Sequence, residues 1–324
     1  MPQHLIHIGF PKAGSTFLQQ WFAKHPRFHY TPGGFAGFRD IYGLARVLDT
    51  PFDYYVTSTE DFSSPRSGSG ALHVHLPSGA SRPEPVKSRQ ATVCGVLRTL
   101  FPGARILIIT RGFRSLMRSV YSQAVRSGLT QSVKAQYESY AALPQTGDFR
   151  HHDYDYLIGL YTAAFGRENV IVLPYELLRD DQARFIRVLE DRLGVEHADM
   201  GIGRVNPSLT PEELYWYPVI SRAVSAVVAP LGEKWHRRIF TRYVRLMSRN
   251  HLRLPVRVLA RARPHARVTD ADFPAGIEMY QAGRAESLLG DPLYAPYAEE
   301  YLWDRETAPG GATPQTDHSA AAEG

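Results

Sequence analysis

Four short apolar runs recur along the first 180 residues, and each is followed by glycine, charged or hydroxyl-bearing residues. A continuous apolar run of this length is typical of a strand that is covered on both faces of a parallel sheet. Between the runs, apolar residues recur three or four positions apart, which predicts helices with one buried face. The strands are predicted at residues 4–9, 54–58, 105–110 and 170–173.

The first predicted strand runs directly into a loop that contains glycines, one lysine and two hydroxyls, Gly9-Phe-Pro-Lys-Ala-Gly-Ser-Thr16. Backbone N–H groups, a helix start and an ammonium are thereby gathered around one anionic group. The common nucleotide-triphosphatase loop places its lysine directly after the second glycine. Here Ser15 follows Gly14, and Lys12 comes two residues before it. The loop is therefore expected to bind phosphate but to be poorly suited to Mg-triphosphate chemistry.

A second phosphate-binding pattern follows the strand predicted at 105–110. Arg111 stands at the end of that strand, and Ser119 comes eight residues later in a segment of helical periodicity. Because open α/β sheets bind ligands beyond the carboxyl ends of their strands, Arg111 is expected at the binding edge. A guanidinium with a nearby hydroxyl is suitable for a separate phosphate group.

Together these two segments resemble the PAPS-dependent sulfotransferases, in particular soluble, carbohydrate-type bacterial members (PAPS is 3′-phosphoadenosine 5′-phosphosulfate). The resemblance implies that PAPS is the co-substrate, that PAP is the product and that no metal is required. It implies that Arg111 and Ser119 bind the 3′-phosphate. The residues implied at the 5′-phosphosulfate are Lys12, Ala13, Gly14, Ser15 and Thr16. In one departure, Gly112-Phe113 stands where relatives often have Asn-Pro or Asp-Pro, which is expected to loosen the turn.

A third segment, with Phe165-Gly-Arg-Glu-Asn-Val170 and then Tyr175-Glu-Leu-Leu178, resembles the family's helix, strand and following turn. The resemblance places Tyr175 near the adenine, where an aromatic ring can stack. A core tyrosine at the end of a strand explains the same position.

The pattern predicts a three-layer, P-loop-like α/β fold with a mostly parallel central sheet flanked by helices, plus a helical C-terminal region. Residues 1–210 are expected to form the PAPS-binding core. Residues 211–306 are expected to form a helical, basic, acceptor-side part of the same domain, and 307–324 a disordered tail. The Ser-, Gly- and Pro-rich segment 63–87 is predicted to be a long mobile loop or lid.

Sulfuryl transfer needs a positive charge near the bridging oxygen of the donor, and Lys12 is the candidate for it. It also needs a base that removes the proton of the acceptor hydroxyl. Glu60, at the end of the second predicted strand, resembles the glutamate base of carbohydrate sulfotransferases, and partial desolvation would suit it to this role. His75 resembles the histidine base of small-molecule sulfotransferases and is the alternative. His73 and His75 have no third ligand at a recognisable spacing, so no metal site is expected.

Composition further limits the class of protein to which the chain can belong. The chain has 324 residues, of which 44% are hydrophobic and one is cysteine, so it can bury a full core but has no disulfide framework. No apolar run approaches the ~20 residues that span a bilayer. These features predict a soluble, cytoplasmic protein and are compatible with a peripheral association with a membrane.

Basic residues are concentrated in residues 234–267, which contain eleven Lys and Arg and no acid. Since the net charge of the whole chain is +5, the remainder carries a net charge of −6. Interleaved apolar residues favour an amphipathic membrane-surface helix or a polyanion site. A helical flank with solvated arginines explains the same pattern. No sequence-specific nucleic-acid partner is indicated.

The function expected from the sequence is that of a sulfotransferase (EC 2.8.2 type), which moves a sulfuryl group from PAPS to a hydroxyl of a carbohydrate or glycolipid by in-line displacement. The sequence leaves two alternative functions open. One is a small-molecule kinase with a variant phosphate loop, and the other is a non-catalytic module that binds PAP or a polyanion.

Overall fold

The structure is a computed structural model that describes most of the chain. For residues 73–75, 81–83, 139–141 and 270, the backbone alone is described. The described ranges are 2–30, 51–65, 73–75, 81–83, 85–141, 152–201, 203, 209–249, 251–273 and 285–301.

In the described residues, the central sheet has five strands, all parallel, in the order β2-β3-β1-β6-β7. Its register sets Ile8 of β1 beside Thr59 of β3 and Gly9 beside Ile109 of β6. The three strands therefore end at the same level. The strands of this sheet are β1 Gln3–Gly9, β2 Phe28–Tyr30, β3 Tyr54–Thr59, β6 Arg105–Thr110 and β7 Val170–Pro174. All four predicted strands are confirmed.

Helices follow the strands and cover both faces of the sheet, which is the expected three-layer arrangement. Gly166 and Gly194, both with positive φ, terminate two of them. The helices up to residue 193 are α1 Ser15–Lys24, α2 Val86–Leu100, α3 Phe113–Arg126, α4 Val133–Ala141, α5 Tyr154–Phe165, α6 Tyr175–Asp180 and α7 Gln182–Leu193.

The helical character predicted after residue 210 is confirmed. Thr210 begins this part with a capping box, in which its side chain and that of Glu213 each accept from the other's backbone N–H. The three helices are α8 Pro211–Val228, α9 Glu233–Ser248 and α10 Arg253–Ala262.

Two apolar clusters hold these layers together. The larger cluster lies around the sheet and includes Ile8, Ile108 and Trp21, none of which has exposed surface. The smaller cluster joins α3 to the C-terminal helices through residues such as Tyr121 and Tyr217. Helix α3 contributes to both clusters, so the helical region is packed directly on a helix of the α/β core.

The segment 285–301 returns to the larger cluster, where Tyr294 and Tyr301 are fully buried. The division at residue 210 stays a prediction, but the hydrophobic core of the α/β part includes residues from far beyond it.

The prediction of one long loop over 63–87 is wrong in its described part. Strands β4 His73–His75 and β5 Ser81–Pro83 form an antiparallel pair, and α2 begins at Val86. The predicted tail 307–324 lies outside the described residues. None of the described helices is long and apolar enough to cross a membrane.

Candidate active site

The predicted phosphate segments meet at one edge of the central sheet. Strand β1 is paired with β3 on one side and with β6 on the other, so the chain crosses to opposite sides of β1. This reversal is a topological switch point, at which the loops beyond the carboxyl ends of neighbouring strands leave a crevice. The loop after β1 carries Lys12, and the turn after β6 carries Arg111.

The β1 loop has an unusual backbone. Lys12 has a φ of 67°, and it is the one non-glycine residue with positive φ among the described residues. This conformation costs a non-glycine residue about 1–2 kcal/mol and is found most often at functional sites. Gly14 has a φ of 86°, and α1 begins at the next residue. The N–H groups of the first helical turn have no intrahelical acceptor, so they can bind an anion.

Gly9 and Gly14 are positions where a side chain does not fit. A Cβ at Gly9 would lie 2.7 Å from the Ser15 Oγ and 3.5 Å from the Glu60 Cγ. A Cβ at Gly14 would lie 2.7 Å from the Leu178 Cδ2 and 3.3 Å from the Tyr175 ring. The loop therefore lies against both the turn after β3 and α6 without intervening side chains.

Ser15 has the properties of an anion ligand. Its side chain is buried, and its Oγ has no hydrogen-bond partner among the described residues. A buried hydroxyl is rarely left in this state. Since α1 begins at Ser15, a phosphate bound at this helix start could supply the acceptor. The Thr16 side chain is exposed and Ala13 is buried, so Ala13 can contribute only through its backbone.

Arg111 joins the two phosphate segments. Its Nη1 donates to the Lys12 carbonyl, and its Nε donates to the Ser115 Oγ at 3.0 Å. Its guanidinium lies 4.4 Å from the centre of the Tyr175 ring, a cation–π distance. Burial lowers the pKa of Arg111, while neighbouring Tyr175 and Glu176 act in the opposite direction. The ring of Tyr175 therefore lies between the two segments, beside Gly14 and Arg111.

One face of α3 lines this crevice. Residues four apart lie on the same face of a helix, and Ser115, Ser119 and Gln123 have this spacing. Ser115 holds Arg111, and the Gln123 Oε1 accepts from the Lys12 Nζ at 3.1 Å. Ser119 lies between them on the same face. The structure therefore brings Lys12 and Arg111 together and sets Ser119 on the face of α3 that contacts both.

The charge of Lys12 is affected by its surroundings. Burial lowers its pKa, Glu60 raises it, and the cations of Arg111 and Arg126 lower it. The ammonium is thus partly desolvated, with a carboxylate within electrostatic range. An ammonium in such a site interacts more strongly with a developing negative charge than one in water does.

A buried carboxylate that sequence reasoning missed supports the Arg111 turn. The Glu176 Oε1 accepts from the Gly112 N–H at 3.0 Å, and its Oε2 accepts from the Tyr301 hydroxyl at 3.1 Å. Burial raises the pKa of Glu176, and the Gly112 hydrogen bond opposes that change. The Tyr154 hydroxyl also donates to the Arg111 carbonyl. The turn expected to be loose is therefore held by side chains from α5, α6 and the C-terminal segment.

Replacing Glu176 with leucine is expected to destabilise the protein by about 1–3 kcal/mol, because the buried Gly112 N–H loses its acceptor. Affinity for PAP, the ligand expected from the sequence resemblance, should fall as well, since Arg111 adjoins that turn. Urea unfolding and calorimetric titration with PAP measure the two effects. Glu176→Gln keeps an acceptor for the N–H and should have a smaller effect. Equal stability of the leucine variant and the wild type would contradict this account.

The C-terminal segment forms a wall of the same turn. The Thr110 Oγ1 hydrogen-bonds to the hydroxyls of Tyr294 at 2.9 Å and Tyr301 at 2.8 Å. A Cβ at Gly112 would clash with Glu300, whose carboxylate pairs with Arg179 at 2.8 Å. Glycine is required at 112 for this close approach. The spacing of tyrosines at 294, 297 and 301 was the one sequence signal for a buried helical segment here.

A second missed residue, His7, lies beneath the loop. It is fully buried on β1, and its Nδ1 hydrogen-bonds to the Ser58 Oγ at 2.8 Å. Burial lowers the pKa of His7 to about 3, so the ring is neutral at physiological pH. The Gln19 amide donates to the same Ser58 hydroxyl at 3.3 Å, which links α1 to the ends of β1 and β3.

The two candidate bases differ in what the structure describes. Glu60 begins a short 3₁₀ turn directly after β3, where Ser63 bonds to the Gly9 and Glu60 carbonyls. The Glu60 side chain is exposed, so the partial desolvation expected from the sequence is not seen. The backbone of His75 lies in β4, but its side chain is outside the described part. Among the described residues, no cluster of three or more His, Cys, Asp or Glu is placed to hold a metal ion.

A strand, a glycine-containing loop, a helix start and a buried arginine at a switch point are typical of an α/β enzyme that binds phosphate groups. Residues 5–199, more than half of the chain, match the family model described as "Sulfotransferase family". The chain therefore belongs to the sulfotransferase family and is a transferase of sulfuryl groups, EC 2.8.2 type. The family match does not support the small-molecule kinase alternative.

Solved structures with a similar fold include other sulfotransferases. A sulfotransferase from Alicyclobacillus acidocaldarius is 18% identical, covers 73% of this chain and 99% of its own, and has a TM-score of 0.44. A mouse sulfotransferase in complex with PAP is 15% identical, with coverages of 61% and 60% and a TM-score of 0.34. A sulfotransferase domain from the curacin biosynthetic pathway is 12% identical, with coverages of 67% and 78% and a TM-score of 0.36. Comparison with curated proteins found no significant match.

Proposed function

We propose that this sulfotransferase transfers the sulfuryl group of PAPS to a hydroxyl of a carbohydrate or glycolipid acceptor, with Glu60 as the general base. The residues proposed at the 5′-phosphosulfate are Lys12, Ala13, Gly14, Ser15 and Thr16. Those proposed for the 3′-phosphate and the adenine are Arg111, Ser119 and Tyr175. No metal is part of the proposal.

The contact between the Arg111 guanidinium and the Lys12 carbonyl carries the proposal. It joins two separate cationic segments at one crevice, as a ligand with two separate phosphate groups requires. The buried Ser15 hydroxyl and the start of α1 suit one phosphate. The guanidinium and the Ser119 face of α3 suit the other. Tyr175, between them, presents a ring on which a base can stack.

The proposed chemistry uses three groups of this chain. Lys12 stabilises the negative charge that grows on the oxygen bridging phosphate and sulfate as their bond breaks. Glu60 takes the proton of the acceptor hydroxyl as that oxygen bonds to sulfur from the opposite side. Ser15 and the first N–H groups of α1 hold the phosphate that leaves. The exposure of Glu60 supports this assignment, because an acceptor needs access to its base.

Replacing Arg111 with alanine is expected to weaken PAP binding about 10- to 100-fold, because a charge-assisted contact contributes about 1.5–3 kcal/mol. Calorimetric titration of the wild type should give binding that does not change when Mg²⁺ is added. Arg114→Ala is the matched control, since Arg114 is exposed on α3 and pairs with Glu299 at 3.9 Å. No binding of PAP by the wild type, or equal losses in both variants, would contradict the proposed donor site.

The acceptor class is tested separately by a panel of saccharides, glycolipids and phenols with radiolabelled PAPS. Sulfation of sugar hydroxyls is expected. Activity on phenols alone would overturn the carbohydrate assignment and leave the donor site intact. Binding of PAP without turnover of any acceptor would favour a non-catalytic binding module.

A further inference from the structure

The basic segment 234–267 forms an exposed surface on α9, α10 and the turns beside them. All of its cationic residues except Arg253 are exposed, and Arg253 is half-buried. These residues are Lys234, Arg237, Arg238, Arg242, Arg245, Arg249, Arg253, Arg257, Arg261, Arg263 and Arg267. Within the described part of the chain, Arg253 alone among them forms an ion pair, with Glu213 at 2.8 Å.

Large apolar side chains are exposed on the same two helices. On α9, Trp235 is 54% exposed and Leu246 is 43% exposed, and their spacing of eleven residues sets them on one face. On α10, Leu254 is 70% exposed and Val258 is 59% exposed, four residues apart. Buried Val256 lies on the opposite side of α10. The helices thus have apolar residues both on the side that packs against the protein and on the side that is exposed to solvent.

Cations flank the exposed apolar side chains. Helical geometry puts Arg242 beside Leu246, with Arg245 at the edge of that face, and it puts Arg257 and Arg261 beside Leu254 and Val258. An apolar stripe edged with arginines is the pattern of helices that lie in the surface of an anionic bilayer. The cations then meet lipid phosphates while the apolar side chains enter the boundary with the acyl chains.

We propose that α9 and α10 together dock on an anionic lipid surface. A second copy of the chain is disfavoured as the occupant, because two such faces would bring the cations of residues 234–267 in each copy together, and those residues include no acid. A nucleic acid or an anionic glycan would satisfy the arginines but would leave exposed Leu254 and Val258 in water. An anionic bilayer is the partner that fits both the charge and the apolar surface.

The helix α9, which carries part of the proposed lipid-docking surface, packs on the end of α3. Gly128, just after α3, is so close to Phe240 and Val244 of α9 that a Cβ there would clash. The Ser248 Oγ, at the end of α9, donates to the Arg126 carbonyl at 3.3 Å. Arg126 in turn is near enough to lower the pKa of Lys12. Docking by α9 would therefore bring α3 and the Lys12 loop close to the bilayer.

Docking at this place adds to the proposed function, because it would deliver a lipid-linked acceptor to the enzyme. In that one respect the inference rests on the proposed function. An enzyme held in this way would meet glycolipid hydroxyls at the membrane surface, at a high effective concentration. The docking itself does not depend on the identity of the acceptor, so the two can fail separately.

The test uses the full chain, with sedimentation of large unilamellar vesicles of phosphatidylcholine alone or with about one third phosphatidylglycerol. Binding is expected to the anionic vesicles and not to the neutral ones. Since each Lys or Arg near an anionic surface contributes about fivefold, the triple variant Arg245→Gln, Arg257→Gln, Arg261→Gln should lose about a hundredfold in affinity. Leu254→Ser with Val258→Ser should lose about tenfold.

The matched control is Arg167→Gln, Arg184→Gln, Arg187→Gln, which removes the same charge from exposed positions elsewhere. It should retain vesicle binding. All variants are checked by circular dichroism and PAP titration, and unchanged PAP affinity separates a docking defect from a failure of the donor site. Equal losses in the two triple variants, or no binding of the wild type to anionic vesicles at physiological salt, would overturn the proposal.

Two further outcomes identify other occupants and also overturn it. One is a concentration-dependent dimer, without vesicle binding, that Leu254→Ser with Val258→Ser dissociates in analytical ultracentrifugation. The other is binding of heparin or nucleic acid that the serine substitutions leave unchanged, again without binding to vesicles. Equal binding to neutral and anionic vesicles would likewise remove the role assigned to the arginines.

Discussion

Replacing Lys12 with alanine is expected to lower kcat for sulfuryl transfer by about 10²- to 10³-fold, the usual effect of losing one group that stabilises transition-state charge. Lys12 adopts a φ of 67°, and its Nζ is held by Gln123 at 3.1 Å. The ammonium is therefore pre-oriented over the loop. Initial rates at saturating donor and acceptor measure the effect.

The control for Lys12→Ala is Lys24→Ala, because Lys24 is exposed at the far end of α1. It should retain wild-type kcat, and a decrease of less than about threefold in Lys12→Ala would contradict the assigned role. The pH profile provides a second check. Burial lowers the pKa of Lys12, and catalysis uses its charged form. Activity should therefore be present at lower pH and decline as pH rises, below the usual lysine range.

Replacing Glu60 with glutamine is expected to lower kcat by about 10²- to 10⁴-fold, the range for loss of a general base. The side chain keeps nearly the same shape, so PAP binding should change little. This separation of kcat from donor affinity is the readout that distinguishes a base from a structural residue. It is measured by steady-state rates together with calorimetric titration of each variant.

The matched control is Asp61→Asn, which neutralises the adjacent carboxylate and should retain most of the activity. His75→Asn tests the other candidate. If His75→Asn lost activity by the amount expected for Glu60→Gln, while Glu60→Gln remained active, the base would be His75. Loss of PAP binding in Glu60→Gln would assign Glu60 to the donor site instead.

The central sheet was predictable because its strands are buried on both faces. Residues 106–109 and 170–173 are continuous runs of apolar residues, and a helix with only one buried face does not produce that pattern. Their order along the chain then predicted a parallel sheet with its binding edge at the carboxyl ends. The segment 63–87 was predicted incorrectly, because its Ser, Gly and Pro content resembles a loop although β4 and β5 pair within it.

The candidate site was predictable where its residues are close in sequence. The loop from Gly9 to Thr16 contains a complete anion-binding pattern, and Arg111 and Ser119 share one strand–helix unit. Ser115 and Glu176 were missed, because a serine in a helix and a glutamate after a strand are common. Only their contacts with Arg111 and Gly112 distinguish them. The sequence predicted a loose turn at Gly112, whereas the contacts in the folded chain hold this turn in place.

The sequence by itself determined the strands, the phosphate loop and the family, because the strands and each phosphate segment depend on local pattern, and the family follows from the two phosphate segments taken together. Only the tertiary structure decided that segment 285–301 walls the Arg111 turn and that Glu176 supports it. It also decided that the basic helix α9 packs on the end of α3. Each of those contacts joins residues more than 60 positions apart, and such pairings are set by close packing in the folded core.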